Sequence, residues 1–494
     1  MPTSFISTLR SSFTPDMRAF AMLCIAYALF GLARIAFGYV PGFLIFLAPV
    51  FLIVPLVRPK AGLWAIITLT ILFERFFTLE PFQFGRYALK LYPIDLVLLG
   101  VFGGVIASIV FRRTVAYFDR TIGMLGIFFG IASLYLAASF LGFGDRDLAV
   151  AVSTWKNYVF YGLLACVLPQ LLISEQDIRQ TVRVFLVSVA VALVFLLIGI
   201  LRGGGLWTEF TPLSTGGVRL LAFPHAFYFS IALIALLVSN DYWDPYKRSG
   251  FVWMLLGLLA FGILSSLMRH IWIGMFVSLA FAFVFFMRHE ARQKMAALSF
   301  VALGIGTALF SVALVFATLF PTLGPSQSIQ AIQGVVAERL VSIGSSSDTS
   351  ISWRGTTWKS AIDEIEKHPI TGAGFGRHVA VESGDYHDFV EVRNIHNSWL
   401  AVFVQMGFIG GLAFIGVFGI IALSLIRLPA YGTWQYAFRA TLLALLAYEA
   451  LLMLAQPYLE TNLLNVIIWM TLGFSIALCR VARTNPTMAA SSAR

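Results

Sequence analysis

The fold class is decided by a long apolar run, SWLAVFVQMGFIGGLAFIGVFGIIALSLI, which occupies residues 398–426 and contains no charged side chain. A helix needs about 20 mostly apolar residues to cross a bilayer, so this run predicts a membrane-spanning helix. Composition extends the prediction to the whole chain, because 59% of its 494 residues are apolar and only 12% are charged. Soluble domains carry roughly 25% charged residues. The sequence therefore predicts a polytopic membrane protein.

Further apolar runs lie on both sides of this one. They fall near residues 19–37, 39–57, 61–79, 93–111, 121–141, 155–173, 181–201, 220–238, 250–267, 270–287, 296–320, 437–456 and 461–479. The first pair and the pair between 250 and 287 are closely spaced, so we expect about 12–14 transmembrane helices. The expected fold class is an all-α polytopic membrane protein with one large polar loop.

The positive charges indicate how the chain is oriented. The net charge of +10 does not indicate a nucleic-acid partner, because the basic residues form short clusters between apolar runs. Clusters such as Arg112-Arg113 fall on alternate short loops, and such loops stay in the cytoplasm. We therefore expect both termini in the cytoplasm and the long polar segment 321–397 on the outer side. The chain then divides into residues 1–200, 201–320, 321–397 and 398–494.

The polar segment 321–397 contains a predicted amphipathic helix. Its apolar positions recur at helical spacing and comprise Trp353, Thr357, Trp358, Ala361, Ile362 and Ile365. His368-Pro369 should end this helix, because proline disfavours helical geometry at the preceding residue. Gly372-Ala373-Gly374-Phe375-Gly376 then predicts a turn that brings the backbone close to another backbone or to a ligand.

Three arginines share the outer side in this topology and are candidates for anion binding. Arg269 lies between two apolar runs, where a buried charge needs an anionic partner or a wet cavity. Arg219 and Arg354 lie in outer loops. One guanidinium group can donate two parallel hydrogen bonds to phosphate oxygens, and it keeps its charge. Converging arginines therefore suit a diphosphate. The alternative is that Arg269 extends to lipid headgroups and that the other two are solvated or salt-bridged.

His396 is the candidate general base. It lies directly before the apolar run 398–426, and histidine is the side chain that most often takes a proton near neutral pH. The alternative is that His396 caps the next helix or pairs with Asp385, Asp388 or Glu391. The other histidines are too scattered for metal-site spacing, so we expect no metal. The sequence has no Walker loop and no dinucleotide fingerprint, so we expect no cofactor.

At residues 352–410 the chain resembles the superfamily of O-antigen ligases and O-antigen polymerases, which are bacterial membrane glycosyltransferases. The resemblance rests on Arg354 followed by Trp358, His368-Pro369-Ile370-Thr371-Gly372-Ala373-Gly374-Phe375-Gly376, His396-Asn397-Ser398-Trp399-Leu400 and Gly407-Phe408-Ile409-Gly410. Two stretches upstream are also similar, Arg219-Leu220-Leu221-Ala222-Phe223-Pro224-His225 and Ser266-Leu267-Met268-Arg269. The usual adjacent serine and arginine are separated in the second. Together the similar regions cover roughly residues 200–430.

The resemblance implies a GT-C-like fold in the bacterial inner membrane and glycan transfer in its periplasmic loop. The donor would be a glycan on undecaprenyl diphosphate, and the acceptor a sugar hydroxyl of lipid A-core or another surface glycan. Arg269 and Arg354 would hold the diphosphate, and His396 would deprotonate or orient the acceptor. Arg219, Trp358 and Asn397 would contact substrate.

Two jobs remain open within this family, since a ligase transfers a finished glycan and a polymerase joins repeat units. Polysaccharide-export proteins would be partners of either. Outside the family, a helix-rich chain with scattered intramembrane charge also suits a transporter or a structural component of an envelope-polysaccharide complex.

Overall fold

A computed structural model describes residues 14–38, 41–73, 82–84, 87–89, 91–141, 147–201, 223–243, 250–319, 349–383, 386–429, 432–461 and 464–484. The helices of the first half are α1 Pro15–Phe37, α2 Pro41–Val57, α3 Pro59–Phe73, α4 Pro93–Val110, α5 Arg120–Phe140, α6 Leu148–Trp155, α7 Leu163–Leu171 and α8 Glu175–Leu201. Those of the second half are α9 Phe223–Val238, α10 Asn240–Trp243, α11 Gly250–Ser265, α12 Arg269–Phe285, α13 His289–Leu319, α14 Thr349–Lys367, α15 Ser398–Ile426, α16 Thr433–Met453 and α17 Leu464–Thr484. The strands are β1 Phe82–Phe84, β2 Tyr87–Leu89, β3 His378–Ser383 and β4 Tyr386–Glu391.

The predicted all-α polytopic architecture is confirmed. Among the described residues, eight helices are long and apolar enough to cross a membrane, and they are α1, α4, α5, α8, α13, α15, α16 and α17. Five more apolar helices are shorter, with 10 to 17 residues each. The run expected near 155–173 is broken, because a π-helical turn, Lys156–Phe160, separates α6 from α7.

Two β-hairpins were not predicted. β1 pairs with β2 and β3 pairs with β4, both antiparallel. In the second hairpin Val379 and Val381 are buried while Ala380 between them is exposed. That alternation has the period of a strand, and a search for helical spacing passes over it.

The described residues fall into two compact units. One takes in residues up to Phe118 together with 166–188, and the other takes in 119–165 and the rest of the chain from 189. In the first unit polar pairs join α3 to α8, where the Lys60 ammonium lies 2.6 Å from Asp177 and the Trp64 indole donates to Thr181 at 3.1 Å. The candidate site lies wholly in the second unit.

The helix predicted in the polar loop is α14, and it ends at Lys367, directly before His368-Pro369 as expected. One face of α14 packs on the second hairpin and on α15. The buried cluster there consists of Ala361, Val379, Val381, Val390, Val392, Ile395, Ala401 and Val404, with Trp353, Trp358 and Ile365 packed against it. Ile362 was placed on this face wrongly. It is 46% exposed, because it follows Ala361 by one position and a helix turns 100° per residue.

The glycine-rich turn fastens the polar loop to α15. The backbone of α15 is interrupted at Gly407, where φ is 58° and ψ is −159°. N–H groups of the turn donate to carbonyls before the interruption, and N–H groups after it donate back to the turn. These four bonds are Ala373 to Val404, Gly374 to Gln405, Phe408 to Pro369 and Ile409 to Ile370, with lengths from 2.7 to 3.3 Å. The close approach that the glycines predicted is therefore one of backbone to backbone.

Candidate functional site

His396 lies at a sharp reversal of the chain. A 3-10 turn, Val392–Ile395, precedes it, and α15 begins two residues later. The backbone of His396 is left-handed, with φ 56° and ψ 35°, a conformation that few residues other than glycine adopt. Asn397 then caps α15, since its side-chain oxygen accepts from the N–H of Leu400 at 3.1 Å. The predicted substrate residue Asn397 thus has a structural contact that orients its neighbour His396.

The imidazole of His396 is held by Gln456. The Nδ1 atom of His396 lies 2.8 Å from Gln456 Oε1. A carboxamide oxygen only accepts hydrogen bonds, so Nδ1 carries the proton and Nε2 keeps its lone pair. This is the tautomer that a general base requires if the attacking hydroxyl approaches Nε2.

The surroundings keep this imidazole neutral. Burial lowers the pKa of His396, the hydrogen bond from Nδ1 to Gln456 acts in the opposite direction, and the positive charge of Arg354 lowers the pKa further. The net shift is downward from the ordinary value. Arg354 and His396, two of the three predicted catalytic residues, are therefore coupled electrostatically.

Arg354 reaches this site because α14 is docked through its next turn. Trp358, four residues further along the same face, donates its indole N–H to the carbonyl of Ile395 at 2.9 Å. Thr357 is buried and its hydroxyl bonds back to the carbonyl of Trp353. The predicted substrate contact Trp358 is thus half-buried and ties α14 to the residue before His396.

A buried glutamate anchors the segment that carries Gln456. Glu460 lies four residues after Gln456, between α16 and α17, and its Oε2 accepts from the Ser398 hydroxyl at 2.6 Å. Its Oε1 accepts from the Tyr158 hydroxyl at 2.8 Å. The Ser398 hydroxyl in turn accepts from the N–H of Leu459 at 3.1 Å. Burial raises the pKa of Glu460, and the hydrogen bonds from Ser398 and Tyr158 act against that rise.

The π-helical turn completes this anchor. Asn157 donates its amide to the carbonyl of Glu460 at 3.0 Å. The main-chain carbonyl of Asn157 accepts from the Asn465 side-chain amide at 3.2 Å and from the Trp469 indole at 3.0 Å. A π-turn leaves carbonyls without the usual helical partner, and such turns often lie at functional sites. Here the released carbonyl holds the start of α17 against the Gln456–Glu460 segment.

Arg269 is the first residue of α12 and is half-buried. The reversal before it contains Leu267 at φ 53° and Ser266, whose hydroxyl bonds to the carbonyl of Ile263 at 2.6 Å. The next residue, His270, places its Nε2 atom 3.4 Å from the Tyr458 hydroxyl. Tyr458 is two residues from Gln456, so the start of α12 contacts the same short segment that holds His396.

The structure does not describe every residue that the sequence predicted for this site. Arg219 lies outside the described residues, as does Asp385. Among the described residues, the side chain that hydrogen-bonds to His396 is Gln456, 60 residues away in sequence. In the part of the chain that is described, no group of three or more His, Cys, Asp or Glu side chains is placed to hold a metal ion.

The sequence analysis missed Gln456, Tyr458 and Glu460. Gln456 is the last residue of the predicted helix 437–456, and Tyr458 and Glu460 lie in the short connection to the predicted helix 461–479. The available signal was a glutamate and a glutamine within five residues of each other, between runs that are otherwise apolar.

One family model matches the region that contains the two arginines and the histidine. Residues 248–415, 168 of the 494 in the chain, match the family model Wzy_C, described as O-Antigen ligase. The match contains Arg269, Arg354 and His396 and ends before Gln456. No curated protein matches the chain.

Proposed function

We propose that this protein is a membrane glycosyltransferase of the ligase type, because residues 248–415 match the O-antigen ligase family model. It transfers a glycan from undecaprenyl diphosphate to a sugar hydroxyl of lipid A-core or another surface glycan. The observation that supports this proposal best is the hydrogen bond between Gln456 and His396, which leaves Nε2 unprotonated beside Arg354.

In the proposed reaction His396 is the general base. Its Nε2 accepts the proton of the acceptor hydroxyl while the acceptor oxygen forms a bond to the anomeric carbon of the donor sugar. The bond from that carbon to the diphosphate oxygen breaks, and the electron pair leaves with undecaprenyl diphosphate. Direct displacement of this kind inverts the anomeric centre. The proton on His396 is then released to solvent, which restores the neutral imidazole.

The arginines stabilise the leaving group. Charge accumulates on the diphosphate as the glycosidic bond breaks, and guanidinium groups that are already in position stabilise this charge without reorganising. Arg354 lies one helical turn before Trp358, which donates to the carbonyl of Ile395, and its charge acts on His396. Arg269 begins the helix whose second residue contacts Tyr458. We assign both to the diphosphate. Arg219 is a further proposed phosphate or acceptor contact.

The first experiment measures glycan transfer in vesicles supplied with a lipid-linked donor. Arg354→Gln should lower the transfer rate by about 10²–10³-fold, the usual cost of losing one charge-stabilising donor. His396→Ala should lower it by about 10²–10⁴-fold, the usual contribution of a general base. Lys359→Gln is the matched control, because Lys359 is an exposed cation on the same helix as Arg354. Transfer at the wild-type rate by both site variants would exclude the proposed roles.

The products of the same assay distinguish ligase activity from polymerase activity. A ligase places one glycan on each acceptor, so the product should be a single species for a single donor length. A ladder that grows by repeat units would assign the chain to the polymerases instead. Uptake or efflux of the donor without transfer would indicate a transporter.

A further inference from the structure

A basic groove lies at the far end of the helices that carry the candidate site. It has a volume of about 690 Å³ and is formed where α5 begins and where α15 and α17 end. Its polar lining includes Arg120, Arg427, Arg483, Asp119 and Ser424. Since α17 has 21 residues and rises about 1.5 Å per residue, the groove is about 30 Å from the Gln456–Glu460 segment.

The acidic residue in this groove is already bound. Asp119 accepts from the N–H groups of Thr121 and Ile122 and so caps α5. Its other oxygen pairs with Arg483 at 3.4 Å. Within the described part of the chain, neither Arg120 nor Arg427 has an ion pair. The groove therefore presents two guanidinium groups with no compensating carboxylate.

One wall of the groove is apolar and exposed. Ile420 and Leu423 line it, one to two helical turns from Arg427. Leu423 is 42% exposed, and Ile426 beside it is 52% exposed. These residues belong to α15, which is long and apolar enough to cross a membrane, so hydrocarbon covers the exposed wall. A ligand that fills both parts needs an anionic head and an aliphatic tail.

We propose that this groove binds one anionic phospholipid. The phosphate lies between Arg120 and Arg427, and an acyl chain lies along Ile420 and Leu423. Basic pockets between transmembrane helices bind lipid head groups in this way. Charge complementarity excludes a zwitterionic lipid as the preferred occupant, because its ammonium would face the same two arginines. The proposal does not depend on the glycosyltransferase reaction.

Native mass spectrometry of the full-length protein in detergent tests this site, with phosphatidylglycerol, cardiolipin and phosphatidylcholine added in turn. Wild-type protein should retain the two anionic lipids and lose phosphatidylcholine. Arg120→Gln/Arg427→Gln should weaken binding of the anionic lipids by about 30-fold, since each surface cation contributes about 1 kcal/mol. Arg483 stays unchanged in this variant, so the cap of α5 is preserved.

Arg112→Gln/Arg113→Gln is the matched control, because it removes the same charge from exposed positions that do not line the groove. It should bind lipid as the wild type does. An equal loss in the control would mean diffuse charge attraction and would overturn the site. Unchanged binding in Arg120→Gln/Arg427→Gln would also overturn the site. Displacement of the lipid by inorganic phosphate at equal concentration would overturn it too, because the groove would then select an ion. If the double variant does not fold, the same binding measurement is made with Arg427→Gln alone, provided that its melting temperature equals that of the wild type.

Discussion

At the scale of the residue, the tautomer of His396 is set by a partner that is not charged. An acidic partner at Nδ1 would stabilise the imidazolium and favour a protonated Nε2. The Gln456 carboxamide fixes the same tautomer without adding a negative charge, and burial together with Arg354 keeps the ring neutral. In the proposed reaction the base is therefore unprotonated at neutral pH, and the positive charge of Arg354 is available for the leaving group.

This arrangement predicts how pH affects the reaction. Transfer should fall as the pH drops through the lowered pKa of His396, because the imidazolium cannot accept a proton. Gln456→Glu places a carboxylate at Nδ1 and should raise that pKa by about 1–3 units, the usual effect of an adjacent opposite charge. The acidic limb of the rate profile should then move to higher pH by the same amount.

The measurement is the pH dependence of kcat/KM for wild type and for Gln456→Glu, with Gln405→Glu as the control. Gln405 is a buried glutamine on α15, whereas the glutamine that hydrogen-bonds to His396 is Gln456. A limb that stays in place in Gln456→Glu would contradict the role given to this hydrogen bond. A purely structural effect of the substitution would lower the rate at every pH without moving the limb.

At the scale of the element, the polar loop and α15 form one piece. The helix α14, its end at Lys367 and the glycine turn were predictable, because helical spacing, proline and glycine are local signals. The interruption at Gly407 was not, since its cause is the backbone of residues 369–374 rather than any residue near it. The Gln456 contact was equally hidden, because pairing across 60 residues leaves no mark in local composition.

The backbone contact between the glycine-rich turn and α15 predicts that adding one methyl group at Gly407 strongly lowers the stability of the protein. Gly407→Ala would hold alanine at φ 58° and place its Cβ about 2.5 Å from the N atom of Gly372. The left-handed backbone alone costs about 1–3 kcal/mol, and the clash adds to it. Melting temperature in detergent should fall clearly for this variant. Transfer activity should fall with it, because the segment leading from His368 would shift.

The control is on the same helix. Gly419→Ala introduces a Cβ that meets nothing within 4 Å, and alanine in a helix is favoured over glycine by about 0.5–1 kcal/mol. This variant should melt at the wild-type temperature or slightly above it. Equal melting of the two variants would mean that the bonds between the turn and α15 do not form.

At the scale of the whole molecule, the second unit has two chemically different ends. His396, Arg354 and the Gln456–Glu460 segment lie at one end of α15 and α17, and the groove of Arg120, Arg427 and Arg483 lies at the other. Hydropathy and composition were enough to predict the helical scaffold. They were not enough to bring Tyr158 and Glu460 together, because 302 residues separate these two.

The proposed orientation can be tested through cysteine labelling in intact cells. Lys359→Cys, on α14, should react with a membrane-impermeant maleimide added outside. Arg113→Cys, after α4, should react only once the inner membrane is permeabilised. The background variant lacks Cys24, Cys166 and Cys479, the three native cysteines. The opposite labelling pattern would place the candidate site in the cytoplasm and would exclude a periplasmic reaction.

The four main-chain bonds between residues 369–374 and the interrupted helix restrict movement beside the proposed site. Main-chain groups have no alternative rotamers, so this stretch cannot swing outward as a flap while these bonds hold. In the proposed reaction residues 369–374 therefore stay in place, and room for a bulky acceptor has to be made by other segments around His396.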